Sequence, residues 1–368
     1  MPGARPPTAG GIAILLLNRQ GHLSAPHVPL LAAVALLLGG GGAWAQHPSL
    51  TGADWELHAL GVTTPRRLAA LRAEVRRPVT IAIVGQGGVS QSLLEPVLVA
   101  GNTLEYRQWP EGQAPDPGTD THDTQAARVI LDLTLKLNLT VRLLVYHAAE
   151  SDESEAQALA RAGAEADIVT LYQSFWGDVS SLGESIRRSR RALFISPYVE
   201  VGDTPTSACL QAYAAKPWAE GLAHFVTVIP LARTAPGVLL TPLSRPEQDS
   251  EVVNFIAPSY YASGAGGTCP SAEVAAAVAA YAIAASRDRP SPRDVVALLG
   301  ETSLVDRAAL TSVPEFTEAA VAAIEQQITA LASPPEGTPR KLDARGILNL
   351  WALHQALARP ALEGRTAA

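Results

Sequence analysis

Apolar and polar positions along this chain switch between two periods. Largely apolar runs of strand length lie at 79–84, 139–146, 166–171, 192–196 and 225–231, as expected of strands buried on both faces. Between them, Leu93 to Val99, His122 to Leu137, Glu153 to Ala164 and Ala272 to Ala285 space their apolar residues as helices do. Strands that alternate with helices predict an α/β fold, with a mostly parallel sheet and helices on both faces. The Pro/Gly-rich patches at 110–118 and 333–338 read as loops inside that one pattern, and no internal repeat or glycine-rich linker divides the chain after residue 50. A single domain over 46–360 is therefore expected, with 361–368 as a disordered tail.

The N-terminus follows a different logic. His27 to Leu38 is apolar but too short for a comfortable bilayer span, and Ala43-Trp44-Ala45 forms a small-x-small cleavage pattern just before Gln46. Residues 1–45 read as a secretory signal peptide with an N-terminal extension, which carries Arg5, Arg19 and a second apolar patch, Ile12 to Leu17. A secreted or periplasmic location follows. An uncleaved anchor is the competing reading and the only membrane association expected.

Composition narrows the function classes. With 368 residues, 47% of them hydrophobic, the chain can bury one large core or two modest ones. A net charge of −7 gives no basic face for nucleic acid. The cluster Arg187, Arg188, Arg190 and Arg191 reads as a solvated helix end, where cations complement the dipole. Gly85-Gln86-Gly87-Gly88 lacks both the Walker lysine and the Gly-x-Gly-x-x-Gly spacing. His47, His58, His147, His224 and His354 lack metal spacing and are expected at the surface or at edges. No metal or other cofactor is expected.

Candidate chemistry concentrates at Gly266-Gly267-Thr268-Cys269-Pro270-Ser271-Ala272-Glu273, where a glycine-marked turn runs into an alanine-rich helix. Glycines permit close backbone approach, and a helix N-terminus offers N–H groups and a field that favour a thiolate or an oxyanion. Cys269 is the candidate nucleophile, and His122, at a predicted helix start, is its candidate base. The chain holds two cysteines, Cys209 and Cys269. In an oxidising compartment they can form a disulfide, or remain as thiols.

Gly267-Thr268-Cys269 followed by Ser271-Ala272 resembles the Gly-Thr-Ser-x-Ala-Ala-Pro nucleophile motif of the subtilases, with cysteine for serine and Glu273 for the proline. Ala257-Pro258 resembles the Ala-Pro-Gly upstream of that motif. Val79 to Gly87 is similar to the strand that ends in the family's catalytic aspartate, but Gly85 falls on the aspartate, and no acid is expected nearby to replace it. Thr121-His122-Asp123-Thr124 resembles the His-Gly-Thr-His-Val-Ala segment, which places His122 on the catalytic histidine and Asp123 on a glycine. A carboxylate beside the imidazole is expected to favour its protonated form.

Other segments keep the family's order. Ala166 to Leu171, running into Ser174 to Gly177, resembles the strand and loop that flank the substrate cleft. Ala192 to Val199 sits where the family carries its oxyanion asparagine, with Tyr198 or Val199 at that position. Ser291 to Leu299 and Ala344 to Asn349 resemble the closing helix and segment. With Trp55-Glu56-Leu57 included, the resemblance covers residues 53 to 356.

The resemblance implies a three-layer subtilisin-like fold whose triad has decayed to Gly85, His122 and Cys269. Gly267, Thr268 and Tyr198 would lie in the cleft and oxyanion region, with Cys209 and Cys269 both near the pocket. Removing the orienting acid of a serine triad costs about 10⁴ in turnover, and removing one oxyanion donor costs about 10²–10³. An exported, catalytically inactive binding or structural protein follows, with a peptide or protein segment as its partner. The short stretch between Ala45 and Trp55 leaves little room for a folding prosegment. A cysteine hydrolase using Cys269 and His122 is the first alternative, because a thiolate paired with histidine needs less help from a third residue. The second is a solute-binding α/β protein unrelated to subtilases, with the 85–88 glycine cluster as its ligand loop.

Overall fold

The computed structural model describes residues 55–85, 87–98, 101–109, 117–148, 152–171, 179–197, 224–234, 237–240, 255–258, 269–304, 307–312, 316–332 and 346–359. The chain divides into two units, 1–47 and 48–368, and every described residue belongs to the second. The predicted signal peptide and C-terminal tail therefore lie outside the described residues.

Two short helices, α1 (Trp55–Ala59) and α2 (Pro65–Ala73), lead into strand β1 (Val79–Gly85). From there the chain passes through α3 (Gln91–Leu94), β2 (Thr103–Trp109), α4 (His122–Lys136), β3 (Val141–Ala148), α5 (Asp152–Glu165), β4 (Ile168–Leu171), α6 (Val179–Arg188) and β5 (Leu193–Pro197). Strands β6 (Phe225–Thr234), β7 (Gly237–Leu240) and β8 (Phe255–Pro258) follow. The described chain closes with α7 (Cys269–Ala285), α8 (Pro292–Thr302), α9 (Arg307–Thr311), α10 (Glu318–Ala332) and α11 (Leu350–Ala358).

The strands form one 8-stranded sheet in the order β2-β3-β1-β4-β5-β6-β7, with β8 also on β6. All pairs are parallel except β6 with β7. From β1 the chain first builds outward on one side, through β2 and β3, and then on the other, through β4 and β5. The carboxyl end of β1 is thus the point where strand order reverses, and in open α/β sheets that is where the crevice for ligands forms.

Alternate residues of the continuous apolar strands serve opposite faces. Ile81 and Ile83 of β1 join the core shared with α4, α7, α8 and α11, while Ala82 and Val84 join the core shared with α5, α6 and α10. This makes three layers, as the apolar pattern predicts. Helix α7 is buried from Pro270 to Ala285, and its small alanines let it lie close over the sheet. A helix that is apolar all round belongs inside a core.

Several elements depart from the expectation. The helix predicted over Leu93 to Val99 is reduced to α3, because Pro96 has no N–H to continue it. Strand β2 was not anticipated. Its Glu105 and Arg107 form an ion cluster with Arg142 of β3, a polar face suited to a sheet edge. Strands β7 and β8 are too short for periodicity to reveal. Among the described residues, no helix is long and apolar enough to cross a membrane.

Candidate active site

Helix α4 begins where the turn after β1 ends, and the two are joined by side-chain hydrogen bonds. Thr121 caps the helix by accepting from the Thr124 N–H at 3.0 Å, and its hydroxyl donates to the Gly88 carbonyl at 2.6 Å. The Ser90 N–H donates to the Thr124 hydroxyl at 2.9 Å. Asp123 takes up the rest of the turn: its Oδ2 accepts from the N–H groups of Gly87 at 2.9 Å and Gly88 at 3.0 Å. Gly88 sits at φ +68, a conformation that favours glycine.

The Asp123 carboxylate fills the space beside Gly85. A Cβ added to Gly85 would stand 2.3 Å from Oδ1, 2.5 Å from Oδ2 and 2.6 Å from Cγ of Asp123. The expectation that no acid replaces the one missing at position 85 is therefore corrected. A carboxylate is present, delivered from the residue after His122. Sequence reading missed it because the replacement is near in space but lies 38 positions along the chain. The available signal was the matched pair of changes against the subtilase pattern, aspartate to glycine at 85 and glycine to aspartate at 123.

Asp123 does not pair with the imidazole. Its hydrogen bonds come from the turn, and Oδ1 accepts none among the described residues. Burial lowers the His122 imidazole to about 4, so the neutral ring is favoured, contrary to the expected protonated form. Adjacent helical residues point in different directions, which explains why the carboxylate beside His122 in sequence serves the strand end instead. Asp123 is 1% exposed. Burial raises its carboxyl to about 6, with the bonds from Gly87 and Gly88 acting against the rise.

Cys269 is the first residue of α7, a helix of 17 residues. Pro270 at the helix start is well placed, since the N–H it lacks would have no intrahelical acceptor there. Helices α4 and α7 pack on one another, and one turn beyond Cys269 the Glu273 side chain comes within the field of Asp123. Glu273 is fully buried, and its Oε2 has no hydrogen-bond partner among the described residues. Burial, and secondarily the Asp123 charge, raise its carboxyl to about 8. Burial therefore raises both carboxyls, Glu273 further than Asp123.

The end of β1, the start of α4 and the first turn of α7 therefore meet at one edge of the sheet. Gly85 is the last residue of its strand, while His122 and Cys269 each open a helix. Tyr198, Gly267, Thr268 and Cys209 lie outside the described residues, and with them the oxyanion region and the question of whether Cys209 and Cys269 are bonded.

The remaining histidines divide. His224 and His354 were expected at the surface or edges, and both are buried. His224 hydrogen-bonds the Ile186 carbonyl at 2.9 Å and meets Phe194 edge-on. His354 bonds the Tyr281 hydroxyl at 2.9 Å and stacks on Trp351. Both are core groups with partners. Among the described residues, no cluster of His, Cys, Asp and Glu has the geometry to hold a metal ion.

The fold is similar to that of solved serine-protease-like domains of the subtilisin-like type. A lanthipeptide protease superposes with a TM-score of 0.51 at 15% identity, over 85% of this chain and 98% of that one. The A-subunit of the AB5 toxin from E. coli follows at 0.48 and 13%, over 83% of this chain and 99% of that one. MycP1 from Mycobacterium smegmatis follows at 0.44 and 15%, over 78% and 82%. No family model and no curated protein matches the sequence. The class that fold and topology define is a three-layer, subtilisin-like α/β domain.

Proposed function

We propose that this chain is an exported subtilase-related domain that holds a peptide or protein segment at the carboxyl edge of its sheet without hydrolysing it. The observation that carries this reading is the bonding of Asp123. The carboxylate in the acid's place accepts its hydrogen bonds from the Gly87–Gly88 turn, so it does not orient the imidazole of His122 as a triad acid orients its base. Replacing that acid with a group that cannot orient the base costs about 10⁴ in turnover, and an imidazole favoured as neutral down to about pH 4 is a weak base.

The test is incubation of the protein with a fluorogenic peptide library, measuring cleavage and retained peptide together. Retention with no cleavage above that of the Cys269→Ala variant supports the reading. Cleavage that disappears in both Cys269→Ala and His122→Ala overturns it.

One observation favours a second reading, a cysteine hydrolase with Cys269 as nucleophile and His122 as base. The two residues open neighbouring helices at the same edge, and a helix N-terminus lowers a thiol's pKa. Rapid iodoacetamide alkylation of Cys269 at neutral pH, suppressed by His122→Ala, is its signature. An unreactive Cys269 rejects it.

A further inference from the structure

We propose that Asp123 is the acid of this site: one carboxylate-sized space lies between the end of β1 and the first turn of α4, and this chain fills it from α4 instead of from β1. The proposal rests on reading this sheet edge as the site, and not on turnover there.

The steric argument starts from what Gly85 is for. Gly88 needs a positive φ, but Gly85 is not among the residues in that conformation. Its backbone would accept a side chain, and only the room is missing. The Asp123 oxygens stand at 2.3 and 2.5 Å from the position of a Cβ on Gly85, about as far as an aspartate's own oxygens stand from its Cβ. An acid at 85 and the acid at 123 would therefore compete for the same volume.

Nor can Asp123 withdraw to make room. Its Oδ2 is held by two N–H groups of the turn. Its backbone lies in the first turn of a helix of 15 residues whose N-cap is bonded to the same turn. Either change alone gives a clash or an empty, unbonded pocket. Made together, they conserve one glycine and one carboxylate at the junction. Oδ1 is the acceptor this carboxylate still offers to a donor in the site.

The charge also has a neighbour that reports where it is. Glu273, arriving from α7, feels the Asp123 carboxylate. A carboxylate held in the same space from position 85 would act on Glu273 in the same way. A neutral side chain that only supports the turn would not.

The experiment uses the full chain with Gly85→Asp, Asp123→Gly, the double exchange and Asp123→Asn. Two quantities are read: the denaturant midpoint of unfolding, and the Glu273 titration by carbon-13 carboxyl NMR, assigned with Glu273→Gln. Each single glycine–aspartate change is expected to lower the unfolding midpoint, and the double exchange to recover most of both losses. The isosteric Asp123→Asn is expected to lower the Glu273 titration midpoint by about one pH unit, while the double exchange titrates as the wild type does. The proposal is overturned if the two losses simply add, if the exchange variant does not fold, or if Glu273 titrates in that variant as it does in the Asp123→Asn protein. Neither readout involves peptide binding or cleavage, so failure here leaves the proposed function standing, and a failure of peptide retention leaves this inference standing.

Discussion

Two helices begin at the same edge of the sheet, and their first turns are built in opposite ways. At the start of α4, Thr121, Asp123 and Thr124 commit their polar groups to the turn after β1, bonding the N–H groups of Gly87, Gly88 and Ser90 and the carbonyl of Gly88. At the start of α7 the side chains are small or apolar apart from Ser271 and Glu273, and Glu273 is fully buried with one oxygen unbonded among the described residues. Each start keeps one carboxylate oxygen unbonded, but the first ties its acid to a neighbouring segment of chain, which rigidifies a junction, while the second holds a buried acid whose hydrogen bond comes from its own backbone. Departures of the second kind gather at functional sites. The difference teaches that one buried carboxylate at this edge is braced by the turn it caps, while the other rests on its own helix.

The strongest way to break this comparison is Asp123→Ala. It strands the buried N–H of Gly88, which costs about 1–3 kcal/mol when unpaired, removes the partner of the part-buried Gly87 N–H, and leaves a small cavity at Gly85. A loss of about 3 kcal/mol is expected at pH 7, read by chemical denaturation. A loss under about 1 kcal/mol would mean that Asp123 does not hold the turn.

How much of this was legible beforehand depends on what each residue's signal travels through. The layers and strands β1, β3, β4, β5 and β6 show in the sequence because burial on both faces favours largely apolar runs, and α7 shows because a buried helix is apolar on nearly every side. Polar edge strand β2 carries no such run, and its Glu105–Arg142 pairing across strands has no sequence spacing to reveal it. At the site, the turn and both helix starts could be read from Gly85-Gln86-Gly87, Thr121-His122 and Gly267-Thr268-Cys269. The meeting of Asp123 with Gly85, and of Glu273 with Asp123, could not, because each joins segments brought together only by the crossovers of the sheet. His224 and His354 are misjudged for the same reason: partners such as Ile186 and Tyr281 make burial tolerable, and they are distant in sequence.

A smaller effect sharpens the other half of the comparison. The Glu273 carboxyl is raised from 4.5 to about 8 by burial first and by the Asp123 charge second. Native protein therefore binds this proton more tightly than the unfolded chain does, so stability falls as pH rises from about 4.5 to 8 and levels off beyond. Glu273→Gln removes that dependence. The variant should match the wild type near pH 4.5 and exceed it by roughly 2–4 kcal/mol at about pH 8.5, seen as diverging thermal midpoints. His122 works in the opposite direction, since its lowered value withdraws stability as pH falls from 6.5 toward 4, and comparison with the Gln variant cancels it. Parallel midpoint curves would remove Glu273 from the account of the site.

The smallest effect separates a site junction from an ordinary helix start. Thr121 and Ser291 both cap helices through a hydroxyl that accepts the N–H three residues on, at 3.0 and 3.2 Å. Ser291 lies in an exposed capping box whose second bond runs to Asp294 within the same turn. Thr121 also donates outside its helix, to the Gly88 carbonyl. Replacing a cap with alanine costs about 1 kcal/mol, and a further hydrogen bond contributes about 0.5–1.5 kcal/mol. Thr121→Ala should therefore cost about 2 kcal/mol against about 1 kcal/mol for Ser291→Ala, measured by denaturant unfolding of both variants side by side. Equal losses would show that the bond to Gly88 adds nothing, and that Asp123 and Thr124 tie α4 to the turn without it.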